Sequence, residues 1–354
     1  MQNRPDTPTH PGGDTVQMEE TAKFLRAAGH SVTIDLSLSP DLSAIDIVHL
    51  FNLTRPVETL AQARNAVTKG KPYALSSVYW DLESAVPPGA FEFPRNVIRR
   101  CLSDGTRARI RRLLRSGARQ DSEAIRQAQA EILEHANVIL PNSHAELEHI
   151  RDRFPGVPRE RFCVVPNGIS RPDEVKTADS RSGFVCAGAI GPRKNQLNLV
   201  RAFRQLPNEK LIVIGIPSPG CERYAKAVQR SAGANVQFRG SVHHAEMEKI
   251  WRSAKACVQP SYIETAGLSA MEALADGTPI VVADVPPVRE YFGRLAHYCD
   301  PSSPMSIAAA CRAALYSPPP DGKAFADRYE WPKALAPLAD VYEALGKELI
   351  RKES

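Results

Sequence analysis

Several things are missing from this 354-residue chain, and each absence narrows what it does. No apolar run approaches the roughly 18 to 20 residues that span a bilayer, which argues against a membrane-spanning helix. The opening stretch MQNRPDTPTHPGGDTV has no apolar core, so no secretory signal is expected there. CxxC pairs are absent. The seven cysteines (Cys101, Cys163, Cys186, Cys221, Cys257, Cys299 and Cys311) are odd in number and scattered, which fits reduced, mostly buried thiols of a cytosolic protein. The nine histidines show no HExxH or other metal spacing, so His243-His244 and His144/His149 read as surface or capping residues and no metal is expected. A Walker loop, a short repeat and a low-complexity tract are also missing. Finally, residues 1–11 lack the apolar strand that leads a doubly wound domain into its glycine turn. Either the numbering starts downstream of the true beginning or the first strand is weak or absent, and both readings stay open.

What is present is a chain long enough for two domains of ordinary size, each able to bury its own core. Its net charge of +5 is small but uneven. Residues 95–119 carry nine arginines (Arg95, Arg99, Arg100, Arg107, Arg109, Arg111, Arg112, Arg115 and Arg119) against Asp104 alone, a local charge of +8. The rest of residues 1–170 totals −7. A basic patch on an acidic half calls for an anionic partner, and a lipid surface is the natural one. An ordinary basic helix face is the competing reading. Nucleic acid is disfavoured, because no recognition motif accompanies the arginines.

Apolar strand-like runs alternate with helical stretches nearly throughout, the mark of parallel α/β architecture. The first half reads as a helix TVQMEETAKFLRAAG, strands SVTIDL and IDIVHLF, a helix PVETLAQARNAVTKG and a strand PYALSSV. A helix DSEAIRQAQAEILEHA, a strand NVILP, a helix capped by Ser143 and a strand RFCVVPN follow. After a polar linker, GISRPDEVKTADSRSG, a second set of strands and helices begins at GFVCAGA. The chain ends in one long amphipathic helix, WPKALAPLADVYEALGKELI.

The strongest chemical signal is the block from Glu264 to Glu272, ETAGLSAME, between the strand ACVQP and a helix ending at Gly277. With Pro260-Ser261 before it and Gly277-Thr278-Pro279 after it, the block resembles the retaining GT-B glycosyltransferases of the family-four type, whose pattern runs PS..E..GL...EA.A.G.P.V. The physical reading agrees. A helix beginning near Ala266 or Gly267 offers free N–H groups at its positive end, where a diphosphate fits, and glycine permits close approach. Glu264 and Glu272 repel phosphate and are better suited to hydroxyls. The resemblance implies that Glu264 holds the donor sugar and Glu272 the ribose.

Gly188-Ala189-Ile190-Gly191-Pro192-Arg193-Lys194-Asn195 forms a second signal, a strand-to-helix turn carrying two cations. It resembles the family's first turn of the donor domain, where an arginine after the glycine and a later lysine bind diphosphate. Lys194 matches, whereas Ala189 stands at the arginine position and Arg193 is the available substitute. A third, weaker signal is Gly12-Gly13-Asp14, similar to the glycine turn of the family's first domain. Where many relatives place a reaction-centre histidine, this chain has Tyr79-Trp80-Asp81, so Tyr79 and Asp81 become acceptor-side candidates beside a plain packing role. His49, on an earlier strand, reads as structural.

The resemblance, dense over 136–345, implies a GT-B α/β fold with two Rossmann-like doubly wound parallel-sheet domains facing across a cleft. Residues 1–170 would form the acceptor-side domain, 171–328 the donor domain, and 329–354 a helix returning to the first. It implies metal-independent, retaining transfer from a nucleotide-sugar, which is a substrate, so that no cofactor is expected. The acceptor would be a glycan or lipid-linked molecule, and the enzyme cytoplasmic, with a peripheral place on the inner membrane face. In that chemistry Lys194, Arg193 and the helix end at Gly267-Leu268 steady the leaving diphosphate, and Gly188, Asn195 and Glu272 complete the donor site. A nucleotide-sugar-binding protein without transferase activity, and an epimerase on the same scaffold, are the rivals.

Overall fold

The computed structural model describes residues 1–9, 11–81, 123–170 and 181–353. The arginine-rich stretch 95–119 lies outside the described residues, as does most of the polar linker. The described chain divides into two compact units. One comprises residues 1–9, 11–80, 123–167 and 334–353, the other residue 81 and residues 168–170 and 181–333.

In the first unit the parallel strands β1 (Val48–Phe51), β2 (Tyr73–Ser76) and β3 (Val138–Leu140) lie in that spatial order. Val48 stands opposite Tyr73 and Ala74 opposite Val138. Every residue of β1 and β2 is buried, as expected for a parallel sheet covered on both faces. The helices α1 (Gly13–Ala27), α2 (Pro56–Thr68), α3 (123–135) and α4 (His144–Arg153) enclose a core of Leu50, Leu75, Ile132, Leu133, Ile139 and Ile150. Pro56 opens α2 at the position where a missing N–H costs nothing. Ser143 caps α4 by accepting from the Glu146 N–H.

Two expected strands are absent as regular ladders. SVTIDL (31–36) pairs with no strand; its Asp35 N–H donates to the Met1 carbonyl at 3.0 Å. RFCVVPN (161–167) follows β3 through the Cys163 and Val165 N–H groups, at 3.0 and 2.9 Å, but forms only the single bridge of Phe162 to Ile139. Conversely, the open edge of β1 is met by the N-terminal segment. Gln2 bridges Leu50, its N–H donating to the His49 carbonyl at 2.8 Å and its carbonyl accepting from Phe51 at 3.1 Å. A polar residue occupies the place where an apolar strand was sought.

The C-terminal stretch, expected as one helix, is two. Pro337 has no N–H to continue a ladder and disfavours helix in the residue before it, so Trp331–Ala334 and Pro337–Glu353 are separate. The second of these belongs to the first unit. Its Tyr342 hydroxyl lies 2.8 Å from His49 Nδ1, and Nε2 of the same ring lies 2.9 Å from the Ser76 hydroxyl. Burial, assisted by the N-terminal ammonium, pushes the His49 pKa down from its ordinary 6.5 to about 3. The unfolded chain therefore takes up a proton that the folded chain refuses, so stability is whole above pH 6.5 and falls as pH drops from 6.5 towards 3. The expected slope is about 1.4 kcal/mol per pH unit. Urea titrations at stepped pH check it, and His49→Gln should flatten this component of the profile.

The second unit is a six-stranded parallel sheet. Its strands are β4 (Phe184–Ala187), β5 (Leu211–Ile214), β6 (Val236–Arg239), β7 (Ala256–Gln259), β8 (Ile280–Ala283) and β9 (Ala296–Cys299). Their spatial order is β6-β5-β4-β7-β8-β9. The chain winds outward in one direction from β4 and in the other from β7, so the order reverses between these two strands. In open α/β sheets ligands bind at such a switch point, outside the carboxyl ends of the strands. Helices α5 (Gln196–Phe203), α6 (Glu222–Ser231), α7 (His244–Ser253) and α8 (Leu268–Ala275) follow β4 to β7 in turn. Trp251 and Phe292 lie in the core on one face of the sheet, Phe184 and Phe203 in that on the other. The helices Pro286–Phe292 and Gly322–Tyr329 are additions that periodicity did not reveal. Among the described residues, no helix is long and apolar enough to cross a membrane.

Candidate functional site

The loops leaving β4 and β7 meet at the switch point. After β4 the chain turns at Gly188, whose Cα faces open space, and runs through a short 3-10 turn, Pro192–Lys194, into α5. After β7 it runs through Pro260–Ala266 to Gly267, which caps α8 in the left-handed region at φ 83°. Lys194 Nζ and Glu264 Oε2 are 2.6 Å apart, joining the two loops by an ion pair. Both side chains are partly solvent-accessible, at 25% and 15%. A Cβ added at Gly267 would lie 3.4 Å from Glu264 Cγ, so the helix N-terminus, the glutamate and the lysine share one small region. Leu268 is the first residue of α8 and half-buried, and Glu272, also half-buried, lies one turn further in.

Two buried thiols beneath this region register its charges. Burial pushes Cys186 of β4 up to about 12, with Lys194 opposing and Glu264 reinforcing the shift. Burial likewise raises Cys257 of β7, with Glu272 adding to it and Lys194 opposing. Lys194 and both glutamates thus act electrostatically on the same pair of neighbouring strands. The thiols themselves are held protonated and inert. Among the described residues no group of three or more His, Cys, Asp or Glu side chains is placed to hold a metal ion.

Asn195 has a different position from the one its motif suggested. It is 3% exposed, sits at φ 60°, and its amide donates to the Pro260 carbonyl at 3.0 Å and the Pro301 carbonyl at 2.6 Å. It is the bolt that fixes Lys194 rather than a surface group. Asn198, one helical turn later, donates to Pro301 and to the Tyr262 hydroxyl, while the Tyr262 N–H donates to the Arg193 carbonyl at 2.9 Å. Asn198 and Tyr262 were not singled out from sequence. The Asn195-x-x-Asn198 spacing, which puts two amides on one helix face, was the available signal. Asn195→Ala should cost about 2 kcal/mol, for two buried carbonyls left without their donor and for the left-handed backbone. Asn195→Gly should cost about half that, because the backbone term vanishes. Denaturant unfolding of both variants checks this, and equal losses would contradict it.

Arg193 is exposed, and its charge acts on Cys221 in the loop after β5, on the β5 side of the turn. Ala189 is exposed and contributes its carbonyl to Gln196.

In the first unit, Gly12 is the N-cap of α1 and Gly13 its first residue. Asp14 is 7% exposed and fully engaged. Arg4 donates to it at 2.8 Å, Asn52 at 3.0 Å. Burial alone would raise the Asp14 carboxyl, but the hydrogen bond and charge of Arg4, with Asn52, hold it below the usual carboxylate range. Asp14 is therefore a structural anchor between the N-terminal segment and the end of β1. Tyr79 is 3% exposed and packs towards Phe154, while Asp81 is half-buried.

Residues 172–328 match the family model described as "Glycosyl transferases group 1". A D-inositol 3-phosphate glycosyltransferase of Streptomyces coelicolor is 31% identical over 251 residues, covering 61% of this chain and 54% of the relative. The O-antigen chain mannosyltransferase RfbU of Salmonella typhimurium is 25% identical over 158 residues, 44% of this chain and 45% of the relative. These matches span about half the length of those relatives. Among solved structures, sucrose-phosphate synthase from Thermosynechococcus elongatus superposes with a TM-score of 0.72 at 16% identity, over 95% of this chain and 94% of that one. HepE of Anabaena, in complex with UDP and glucose, gives 0.70 at 14% identity over 97% and 100%. The two parallel sheets, the switch-point loops and the superpositions agree: this chain has the GT-B α/β fold, and residues 172–328 are similar to the group 1 glycosyltransferases.

Proposed function

We propose that the protein transfers a glycosyl group from a nucleoside-diphosphate sugar to a hydroxyl of a glycan or lipid-linked acceptor. The observation that carries this is the Lys194–Glu264 pair at the N-terminal end of α8, on the carboxyl edge of the sheet where the strand order reverses. The family match and the UDP in the HepE complexes support the donor class.

In this reading the donor's diphosphate lies against the Leu268 end of α8 and draws Lys194 towards itself, away from Glu264. Glu264, released, accepts hydrogen bonds from hydroxyls of the donor sugar, and Glu272 from those of the ribose. As the bond from the anomeric carbon to the diphosphate oxygen breaks, negative charge grows on that oxygen. Lys194, Arg193 and the helix end neutralise it with groups already in place. The acceptor hydroxyl attacks the anomeric carbon and gives its proton to the departing diphosphate on the same face, which retains configuration. The charge balance is met by protein cations, so the reaction needs no metal. The cytoplasm is the proposed setting, with the arginines of 95–119 as the contact to an anionic membrane face.

Ala189 favours a second reading, a nucleotide-sugar-binding protein without turnover, because an alanine supplies no cation beside the diphosphate. Release of UDP or GDP from a panel of nucleotide-sugars, with water or added sugars as acceptor, separates the two. The proposal expects slow release that disappears in Glu264→Ala. Tight binding with no release under any acceptor supports the second reading.

A further inference from the structure

The carboxyl edge of the first unit's sheet holds a strained turn with an aromatic surface. Val78, just beyond β2, has φ 42°. A β-branched residue in the left-handed region is a genuine outlier, costing on the order of 1–2 kcal/mol, and such strain persists only where neighbours impose it. Here the neighbour is Glu146. Its side chain is entirely buried, and Oε1 accepts from the Ser77 hydroxyl and, at 2.8 Å, from the Tyr79 N–H. These two donors straddle Val78. Oε2 accepts from the Asn142 N–H at 3.0 Å, and Glu146 is the third residue of α4 behind its Ser143 cap. The Ser143-x-x-Glu146 spacing is that of a capping box, and the glutamate takes the Asn142 N–H and reaches across to clamp the β2 turn.

The consequence of the clamp is the position of Trp80. Tyr79 turns inward, whereas Trp80 remains half-buried and lies flat on His149, with ring centroids 4.2 Å apart and planes 12° apart. His149 in turn contacts Tyr79 at 5.6 Å. Stacking fixes the orientation of a large aromatic ring at the sheet edge where doubly wound folds receive ligands. A pyranose or cyclitol presents one face of C–H groups, which pack against the electron-rich face of an indole.

We infer that Trp80, backed by His149 and held by the Glu146 clamp, is a stacking platform for the saturated polyol ring of the acceptor. The inference rests on the transferase reading for the word acceptor, but the platform itself is testable without it. The probes are methyl α-D-glucopyranoside, methyl α-D-mannopyranoside and myo-inositol, with saturation-transfer NMR of the full chain. At least one ring should receive saturation on its C–H protons. Trp80→Phe, which keeps an aromatic face, should retain most of the affinity. Trp80→Leu, which fills space without one, should lose about ten-fold, the equivalent of a single aromatic stacking contact. No saturation of any ring in the wild-type protein, or equal transfer in Trp80→Leu, overturns the inference. UDP and GDP binding is measured on the same samples. Nucleotide binding without ring binding defeats the platform alone, and ring binding without nucleotide binding defeats the transferase reading alone.

Discussion

Lys194→Ala should lower kcat/KM for transfer by about 10²- to 10³-fold while leaving the protein folded. The expected loss, about 3–4 kcal/mol of transition-state stabilisation, is the usual cost of deleting one preorganised group facing developing charge. Stability should change by no more than about 1 kcal/mol, because Lys194 is partly exposed and its ion pair is partly screened by solvent. The comparison with a purely structural role is direct. If the pair with Glu264 only ties two loops together, Lys194→Ala, Glu264→Ala and the double variant should all lose the same amount in rate and in nucleotide affinity, because each removes the same tie. If the lysine serves a diphosphate, the double variant is at least as inactive as the single one, and the affinity for UDP or GDP falls with it. Steady-state rates and nucleotide titrations on the three variants decide the matter.

Gly215→Ala should destabilise the second unit by about 3 kcal/mol or more, the largest stability effect expected of any single methyl group here. Gly215 follows β5 at φ 138°, where side chains are disfavoured, and an added Cβ would lie 2.1 Å from the Gly188 carbonyl oxygen. Backbone cannot swing aside as a side chain does. The only relief is to push the turn after β4 away from β5, and that turn leads directly into Lys194. A calorimetric scan should therefore show an early transition, and at temperatures where the variant stays folded its nucleotide affinity should also be reduced. Unchanged melting would mean that the approach of the two turns is far softer than the geometry implies.

The two strongest motifs were legible because their chemistry is local. A glutamate ahead of a glycine and a helix, and a lysine after a strand, are sequence-adjacent patterns, and the parallel sheet then carries them to one edge. What could not be read was long-range. Asn195 looked like a ligand contact, yet its amide is committed to Pro260 and Pro301, and nothing in the sequence pairs an asparagine with a carbonyl 106 residues away. Asp14 looked available on a glycine turn, but Arg4 had to be folded back over α1 to occupy it. The N-terminal segment offers no hydrophobic alternation, the signal for strands, yet Gln2 pairs with β1 through its backbone with no apolar side chain to announce it. SVTIDL has the alternation, yet its only backbone partner among the described residues is Met1, which accepts from the Asp35 N–H and donates to the Thr33 carbonyl. In the Tyr79-Trp80-Asp81 turn, which aromatic is buried and which is left half-buried depends on Glu146, 67 residues distant from Tyr79.

The central claim is that a diphosphate binds between Lys194 and the Gly267–Leu268 helix end. Thermal unfolding with saturating UDP, GDP, UDP-sugars and GDP-sugars tests it most directly. At 100 times its dissociation constant, a ligand adds about 2.7 kcal/mol, a rise of several degrees in melting temperature for domains of this size. The account predicts such a rise for one nucleotide series in the wild-type protein and a much smaller one in Lys194→Ala. The same rise in both proteins, or none with any nucleotide diphosphate, would contradict it.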